Sequence, residues 1–435
     1  MSSTVIAGGR IIDPATGFDA IADLVITDGR IARLGPDIGR TGADRVVDAA
    51  GCLVTPGLID PHVHLREPGQ TDKETLATGG AAAAAGGFTA VCCMPNTSPA
   101  LDSPEMLDVV RFRSRDVACR IFPVGAATLG RQGAELAPIA MLVRAGAVGI
   151  SDDGDVVASS RMMRRALQAC AEAQVAFMQH CQDPELTVGA VMHAGAVSAR
   201  LGLTGWPREA EELIIERDLR LNRAVGARYH VQHLSSAGSI EIVRAARARG
   251  EPITAEASPH HLLLTDEWID QDGFPNPLGK VNPPLREMAD VEAIRAAVAE
   301  GVITVLGTDH APHTRAEKEL PIEDAPFGMI GLEFALPLYA EALVHSGLIG
   351  WPRLIALMTV EPARLCGLDR LGLGRLEVGG PADVTIIDPE AQWTITEGEL
   401  AGKSANTPFL GRTVRGRAVA TIVAGTLRQR TGAPV

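Results

Sequence analysis

The segment Asp60-Pro61-His62-Val63-His64-Leu65-Arg66 sets two imidazoles two residues apart, just after an apolar stretch at residues 53–59. Such a stretch reads as a buried strand. Alternate residues of a strand face one side, so His62 and His64 can grip a single metal ion together. Neutral imidazole is the commonest metal ligand among side chains, and two rings fixed on one strand lose little freedom on binding. A His-x-His pair alone is weak evidence. Its weight grows because other ligand-type residues also close short apolar runs: Asn96, the pair Asp152 and Asp153, His180, His233, the pair His260 and His261, and Asp309.

The elements that must position these residues are the apolar runs 53–59, 89–94, 120–124, 147–150, 175–178, 229–232, 252–257 and 302–306. Helical stretches alternate with them, which argues for βα units and a parallel sheet. Helix starts are signalled by a capping box at Thr71-x-x-Glu74 and by Ser103 before Pro104, and a third helix is expected over 161–173. Eight such units specify a (β/α)8 TIM-type barrel more economically than a doubly wound sheet. A barrel gathers the carboxyl ends of its strands, and so the candidate ligands, on one face. Residues 4–47 and those after Gly379 differ, with short β-like pieces between Gly, Pro and Asp turns. The two termini are expected to form a small β-sandwich-like accessory domain, residues 1–55 and 371–435, around a catalytic barrel at 56–370.

Composition excludes several classes. With 435 residues, 46% of them hydrophobic, the chain has ample core, and a formal charge of −13 would repel nucleic acid and anionic membranes. An anionic small substrate must then be met by local positive groups. Seven cysteines without C-x-x-C spacing fit reduced thiols and a cytoplasmic protein. No basic segment leads into an apolar one at the start, and no run of about 18 apolar residues occurs, so secretion and membrane spanning are not expected.

The blocks 60–69 (Asp-Pro-His-Val-His-Leu-Arg-Glu-Pro-Gly), Met94-Pro95-Asn96-Thr97, Asp152-Asp153-Gly154, 280–286 (Lys-Val-Asn-Pro-Pro-Leu-Arg) and 307–313 (Gly-Thr-Asp-His-Ala-Pro-His) closely resemble the amidohydrolase superfamily, and within it the class I dihydroorotases. The likeness continues through Ala325-Pro326-Phe327-Gly328-Met329, Gly331-Leu332-Glu333, Glu361-Pro362-Ala363-Arg364 and Asn406-Thr407-Pro408-Phe409. The resemblance implies a metal-dependent enzyme of pyrimidine synthesis that interconverts N-carbamoyl-L-aspartate and L-dihydroorotate. It makes His62, His64 and Asp309 ligands of one zinc ion and His180 and His233 ligands of a second, with Asp153 bridging. One or two ions per chain fit this set. Arg66, Asn96 and His313 would hold the substrate carboxylate, with Asn282 and Pro326, Phe327 and Gly328 facing the ring. A homodimer and a complex with aspartate carbamoyltransferase are implied partners.

The chemistry is intelligible from the residues. Opening a cyclic amide needs a nucleophile, an electrophile at the carbonyl oxygen and a proton for the departing nitrogen, and a bound zinc-type ion supplies the first two. Asp309 is the candidate proton carrier. Arg66, two residues past His64, has the planar fork that suits a carboxylate. Two other readings compete. Hydantoinases and allantoinases use a carboxylated lysine bridge, whereas the fourth run ends Gly149-Ile150-Ser151-Asp152-Asp153, and hydantoinases also use a tyrosine that neither Tyr229 nor Tyr339 matches. Non-catalytic dihydroorotase-like scaffolds for aspartate carbamoyltransferase typically lose metal ligands, and this chain keeps them. The charged segment 314–324 is expected to form a lid.

Overall fold

The computed structural model describes residues 3–36, 38–39 and 43–430, without the side chain of Arg430. The ends of the expected terminal domain, 1–2 and 431–435, lie outside them.

Gly57 decides where the barrel begins. A Cβ there would lie 2.0 Å from Thr89 Oγ1, so only glycine admits this close approach. The expected single strand over 53–59 is in fact two. Leu53–Pro56 pairs with Ser3–Asp13 and Val384–Thr394 in the terminal sheet, and Leu58–Val63 opens the barrel beside Phe88–Cys93. Both halves of the run are apolar because both are buried, so periodicity could not separate them.

Parallel pairing then runs from Phe88–Cys93 to Arg120–Pro123, whose continuation Gly125–Ala126 pairs with Ile150–Ser151. It continues through Phe177–Gln179, Tyr229–Val231, Ile253–Ala257 and Val305–Leu306. A parallel bridge between Val63 and His310 closes the ring. This is the expected (β/α)8 barrel. Inward side chains including Ile59, Ala90, Cys92, Met94, Ala176, Met178 and Val305 pack with Leu365 and Leu368 into an apolar plug, which leaves the chemistry to one end.

Helices flank the strands as their caps dictate. Ser103 caps Pro104–Arg113, and Ser160–Ala173 begins one residue earlier than expected, behind Ser159. The box at Thr71 is not used. Helix Leu76–Ala85 starts instead at Thr75, whose hydroxyl accepts from Thr78 N while Thr78 Oγ1 accepts from Thr75 N. Glu74 turns inward and is fully buried, accepting from Thr75 N and Thr78 Oγ1.

The terminal sheet has eight strands drawn from both ends of the chain. It folds over on itself, because Ile6, Ile11, Leu24 and Ile26 share one core with Val384, Ile386, Ala420 and Ile422. That is the expected sandwich-like domain. All seven cysteines are free thiols. Among the described residues, no helix is long and apolar enough to cross a membrane.

Candidate active site

One strand end supplies the first two imidazoles. His62 lies within Leu58–Val63 and His64 just beyond it, with ring centroids 5.4 Å apart. The fourth strand ends at Ser151, and the next two residues part ways. Asp152 turns into the loop, where its carboxylate accepts from Ala127 N at 2.8 Å and Thr128 N at 3.0 Å. Asp153 turns to the mouth instead. Its oxygens lie 3.3 Å from His62 Nε2, 3.4 Å from His64 Nε2 and 3.6 Å from both His180 Nδ1 and His233 Nε2. One carboxylate thus touches four imidazoles from three strands.

Asp309 follows the eighth strand, with Oδ1 2.9 Å from His64 Nε2 and 3.5 Å from His62 Nε2. His180 Nδ1 and His233 Nε2 approach to 3.0 Å. Three residues here hold left-handed backbone, Arg66 at φ 59°, His233 at φ 31° and Asp309 at φ 50°. Each costs on the order of 1–3 kcal/mol and persists because surrounding contacts overdetermine it.

Electrostatics explains how so many ionisable groups share a buried place. Burial opposes charge on His62, yet Asp153, Glu256 and Asp309 outweigh it and raise its pKa well above the usual imidazole value. Burial likewise opposes charge on Asp153 and Asp309. His62 and the other facing imidazoles nevertheless hold Asp153 well below the usual carboxylate range, and His62 with His64 does the same for Asp309. Asp153 Oδ1 is buried without a hydrogen-bond partner. Ligand atoms of His62, His64 and Asp153, and of Asp153, His180 and His233, lie within 4.8 Å of one another in each group. Imidazole nitrogens converging on a shared carboxylate fit divalent cations with nitrogen and oxygen preference, such as zinc.

A cavity of about 180 Å³ opens over this cluster. Its wall includes Arg66, Asn96, Asn282, His313, Phe327 and Gly328 beside His64, Asp153, His180, His233 and Asp309. That is below the roughly 300–1,000 Å³ of drug-sized ligand pockets, so only a smaller molecule fits. Arg66 is 7% exposed and donates from Nε to Pro312 O at 3.0 Å, with Nη2 3.2 Å from His313 Nε2. Burial lowers its pKa to about 10, against the pull of Asp309 and Asp153, so it stays charged at neutral pH. His313 is held neutral: burial first, then Arg66, Lys73 and Lys318, push it down to about 2. Asn96 Oδ1 meets His64 Nδ1 at 2.8 Å, and Asn282 Nδ2 donates to Gln182 Oε1 at 3.0 Å. Pro326 is the expected substrate residue that does not line this cavity; its carbonyl faces Lys318 instead.

The Dihydro-orotase-like family matches residues 51–239. The chain is 46% identical to the dihydroorotase of Pelotomaculum thermopropionicum over 97% of each chain. The chain belongs to the dihydroorotase family. A second member, the dihydroorotase of Geobacter sp. strain M21, is 44% identical over 98% of this chain and 99% of its own. Among solved structures, the L-hydantoinase (dihydropyrimidinase) of Arthrobacter aurescens superimposes with a TM-score of 0.87 over 100% of this chain and 98% of its own. At 23% identity that likeness speaks for the shared barrel fold alone.

Within this dihydroorotase-family site, sequence reasoning missed the side chains that act behind the cluster. Glu256 sits inside the seventh strand and is fully buried. Its Oε1 lies 2.5 Å from His62 Nδ1 and accepts from His233 N at 3.1 Å, while Oε2 lies 3.0 Å from His230 Nε2. The available signal was a lone acid in an otherwise apolar run. Gln182 orients His180, with Oε1 3.0 Å from His180 Nε2. His260 and His261 sit beyond the seventh strand in the short helix Pro259–Leu263, outside the cavity wall. A carboxylate on the outer nitrogen of a ligand imidazole fixes its tautomer and orientation. Glu256→Gln is therefore expected to weaken divalent-metal affinity by about 10–100-fold, measured by competition with a chromogenic chelator; unchanged affinity would remove Glu256 from this role.

Proposed function

We propose that this protein is a class I dihydroorotase, interconverting L-dihydroorotate and N-carbamoyl-L-aspartate with one or two zinc ions. The observation that carries the reading is the meeting of four imidazoles on Asp153 at a cavity whose wall also includes Arg66. His62, His64 and Asp309 would hold one cation, His180 and His233 the other, with Asp153 available to both. An aspartate in the bridging place, with no lysine at the end of the fourth strand, supports class I. Bound zinc supplies Lewis acidity, which lowers the pKa of water from 15.7 towards roughly 7 and polarises an amide carbonyl.

The chain's own groups do the rest. Asp309, kept ionised by its imidazole neighbours, takes a proton from the attacking water and delivers it to the ring nitrogen as the C–N bond breaks; ring closure reverses these transfers. Arg66 pairs with the substrate carboxylate, and the free amide nitrogen of Asn96 and the neutral His313 complete its contacts. Asn282 and the backbone of Phe327 and Gly328 face the ring. Arg66→Ala is expected to raise KM for dihydroorotate by roughly 10–100-fold, the loss of hydrogen bonds to a charged group. Steady-state kinetics with metal content held constant measures it.

A hydantoinase-type reading makes the opposite specificity prediction. Tyr229 OH donates to Asp218 Oδ2 at 2.9 Å, and Tyr339 OH to Gly307 O at 2.8 Å, so both tyrosines are engaged away from the cavity. Purified protein offered dihydroorotate, hydantoin and allantoin should turn over the first. Preference for either uncharged ring would overturn the proposal. On family grounds the reading also includes a cytoplasmic place, a homodimer, a complex with aspartate carbamoyltransferase, and division into a barrel at 56–370 and a terminal domain at 1–55 and 371–435.

A further inference from the structure

The segment Asn406-Thr407-Pro408-Phe409 has no part in the chemistry above, yet it reaches the cavity wall from behind. Asn406 is 5% exposed and uses both ends of its amide. Its Oδ1 accepts from His313 N at 3.0 Å, and its Nδ2 donates to Ala311 O at 3.0 Å and to Gly328 O at 3.2 Å. To the stretch 311–313 this side chain stands in for a neighbouring strand. Its own backbone oxygen accepts from Ile330 N at 3.0 Å, so one residue ties both substrate-facing loops together.

Lys318 completes the arrangement from the other side. It is 5% exposed, and its ammonium donates to Pro326 O at 2.9 Å, Gly328 O at 3.2 Å and Lys280 O at 3.4 Å. Three acceptors take the full complement of ammonium protons. Burial, then Lys280, pulls its pKa down to about 7 against the attraction of Glu317. The expected lid segment is thereby anchored at its one helical turn, Arg315–Lys318.

The carbonyls of the turn explain what the anchoring accomplishes. Pro326 O and Gly328 O point back to Lys318, and Gly328 O also meets Asn406. Phe327 O, between them, points the other way and lies 2.8 Å from His313 Nε2. Gly328 holds φ +125°, and a Cβ there would lie 2.6 Å from Ala311 Cβ, so the turn is also sterically tight. We propose that Asn406 and Lys318 are positioning residues that fix the 326–328 turn and His313 as one substrate-binding surface. The inference rests on the reading that His313 and this turn meet the substrate.

The test compares Asn406→Ala, Asn406→Asp, Lys318→Met and His313→Ala with wild type in dihydroorotate kinetics, metal content and thermal unfolding. Asn406→Asp keeps the acceptor for His313 N and loses both donations. The first three variants are expected to raise KM by roughly 10-fold, the scale of one or two lost hydrogen bonds, with kcat changed less than about 3-fold and metal content unchanged. KM unchanged in all three, while His313→Ala raises it, overturns the inference and leaves the functional reading intact. If His313→Ala also leaves KM unchanged, the reading beneath it fails. A fall in kcat as large as the rise in KM marks general loosening of the centre and equally overturns the inference. If Asn406→Ala does not fold, Lys318→Met decides.

Discussion

Asp309→Asn is expected to lower the turnover number for dihydroorotate by roughly 10²–10⁴-fold, the usual worth of a positioned general acid–base group. The substitution keeps shape and volume, so the backbone at φ 50° and the neighbouring imidazoles need not move. What changes is proton affinity. The native carboxylate is held below the usual range because His62 and His64 outweigh its burial, so it is ionised and ready to accept a proton at neutral pH. An amide cannot accept one. Metal analysis of the same samples separates the two roles of this residue. Retained metal with lost turnover identifies Asp309 as proton carrier, whereas retained turnover above about a tenth of wild type would leave it a ligand only.

The second large effect belongs to Asp153. It is the one side chain shared by both ligand groups, so Asp153→Ala removes a donor from each at once. Metal content should fall, and turnover should drop by about 10³-fold or more, since the Lewis acidity of the ions is worth several kcal/mol of transition-state stabilisation. The metal-free protein should suffer too. His62 is fully buried and its pKa stands well above the usual value in part through Asp153; breaking a buried pair by removing one partner costs about 3–5 kcal/mol. Calorimetry of chelated wild type and variant measures that loss. An Asp153→Ala protein with full metal content would contradict the bridging assignment. Asp152→Ala is the matched control, because its carboxylate holds the backbone of residues 127–128 and faces away from the cluster.

Much of this site was legible because a barrel converts chain position into spatial position. A ligand-type residue at the end of an apolar run lands on one rim, so His62, His64, Asp153, His180, His233 and Asp309 stood among the strand-end candidates with Asn96, Asp152, His260 and His261, and the resemblance to class I dihydroorotases picked them out. Choosing Asp153 over Asp152 rested on its neighbour Gly154, and the structure brings Asp153 among the imidazoles while turning Asp152 away. Glu256 escaped because it lies in mid-strand, where a strand-end rule does not look, and its partner is the outer nitrogen of His62. Asn406 lay in a matched block, yet its part escaped, as did Lys318, for another reason: both contact backbone carbonyls and amides, which carry no sequence signal. Residues 53–59 read as one strand because they are buried from end to end while serving two different sheets. At the first helix the expected cap at Thr71 gives way to Thr75, because Glu74 is buried and engaged by Thr75 N and Thr78 Oγ1 instead of reaching back to Thr71.

The most direct test of the account is a metal titration. Protein stripped with a chelator, dialysed and verified metal-free is assayed for dihydroorotate hydrolysis as zinc is added back. The account predicts no turnover without metal and full recovery by the second equivalent, with Asp153→Ala failing to recover. Wild-type turnover by verified metal-free protein would contradict it.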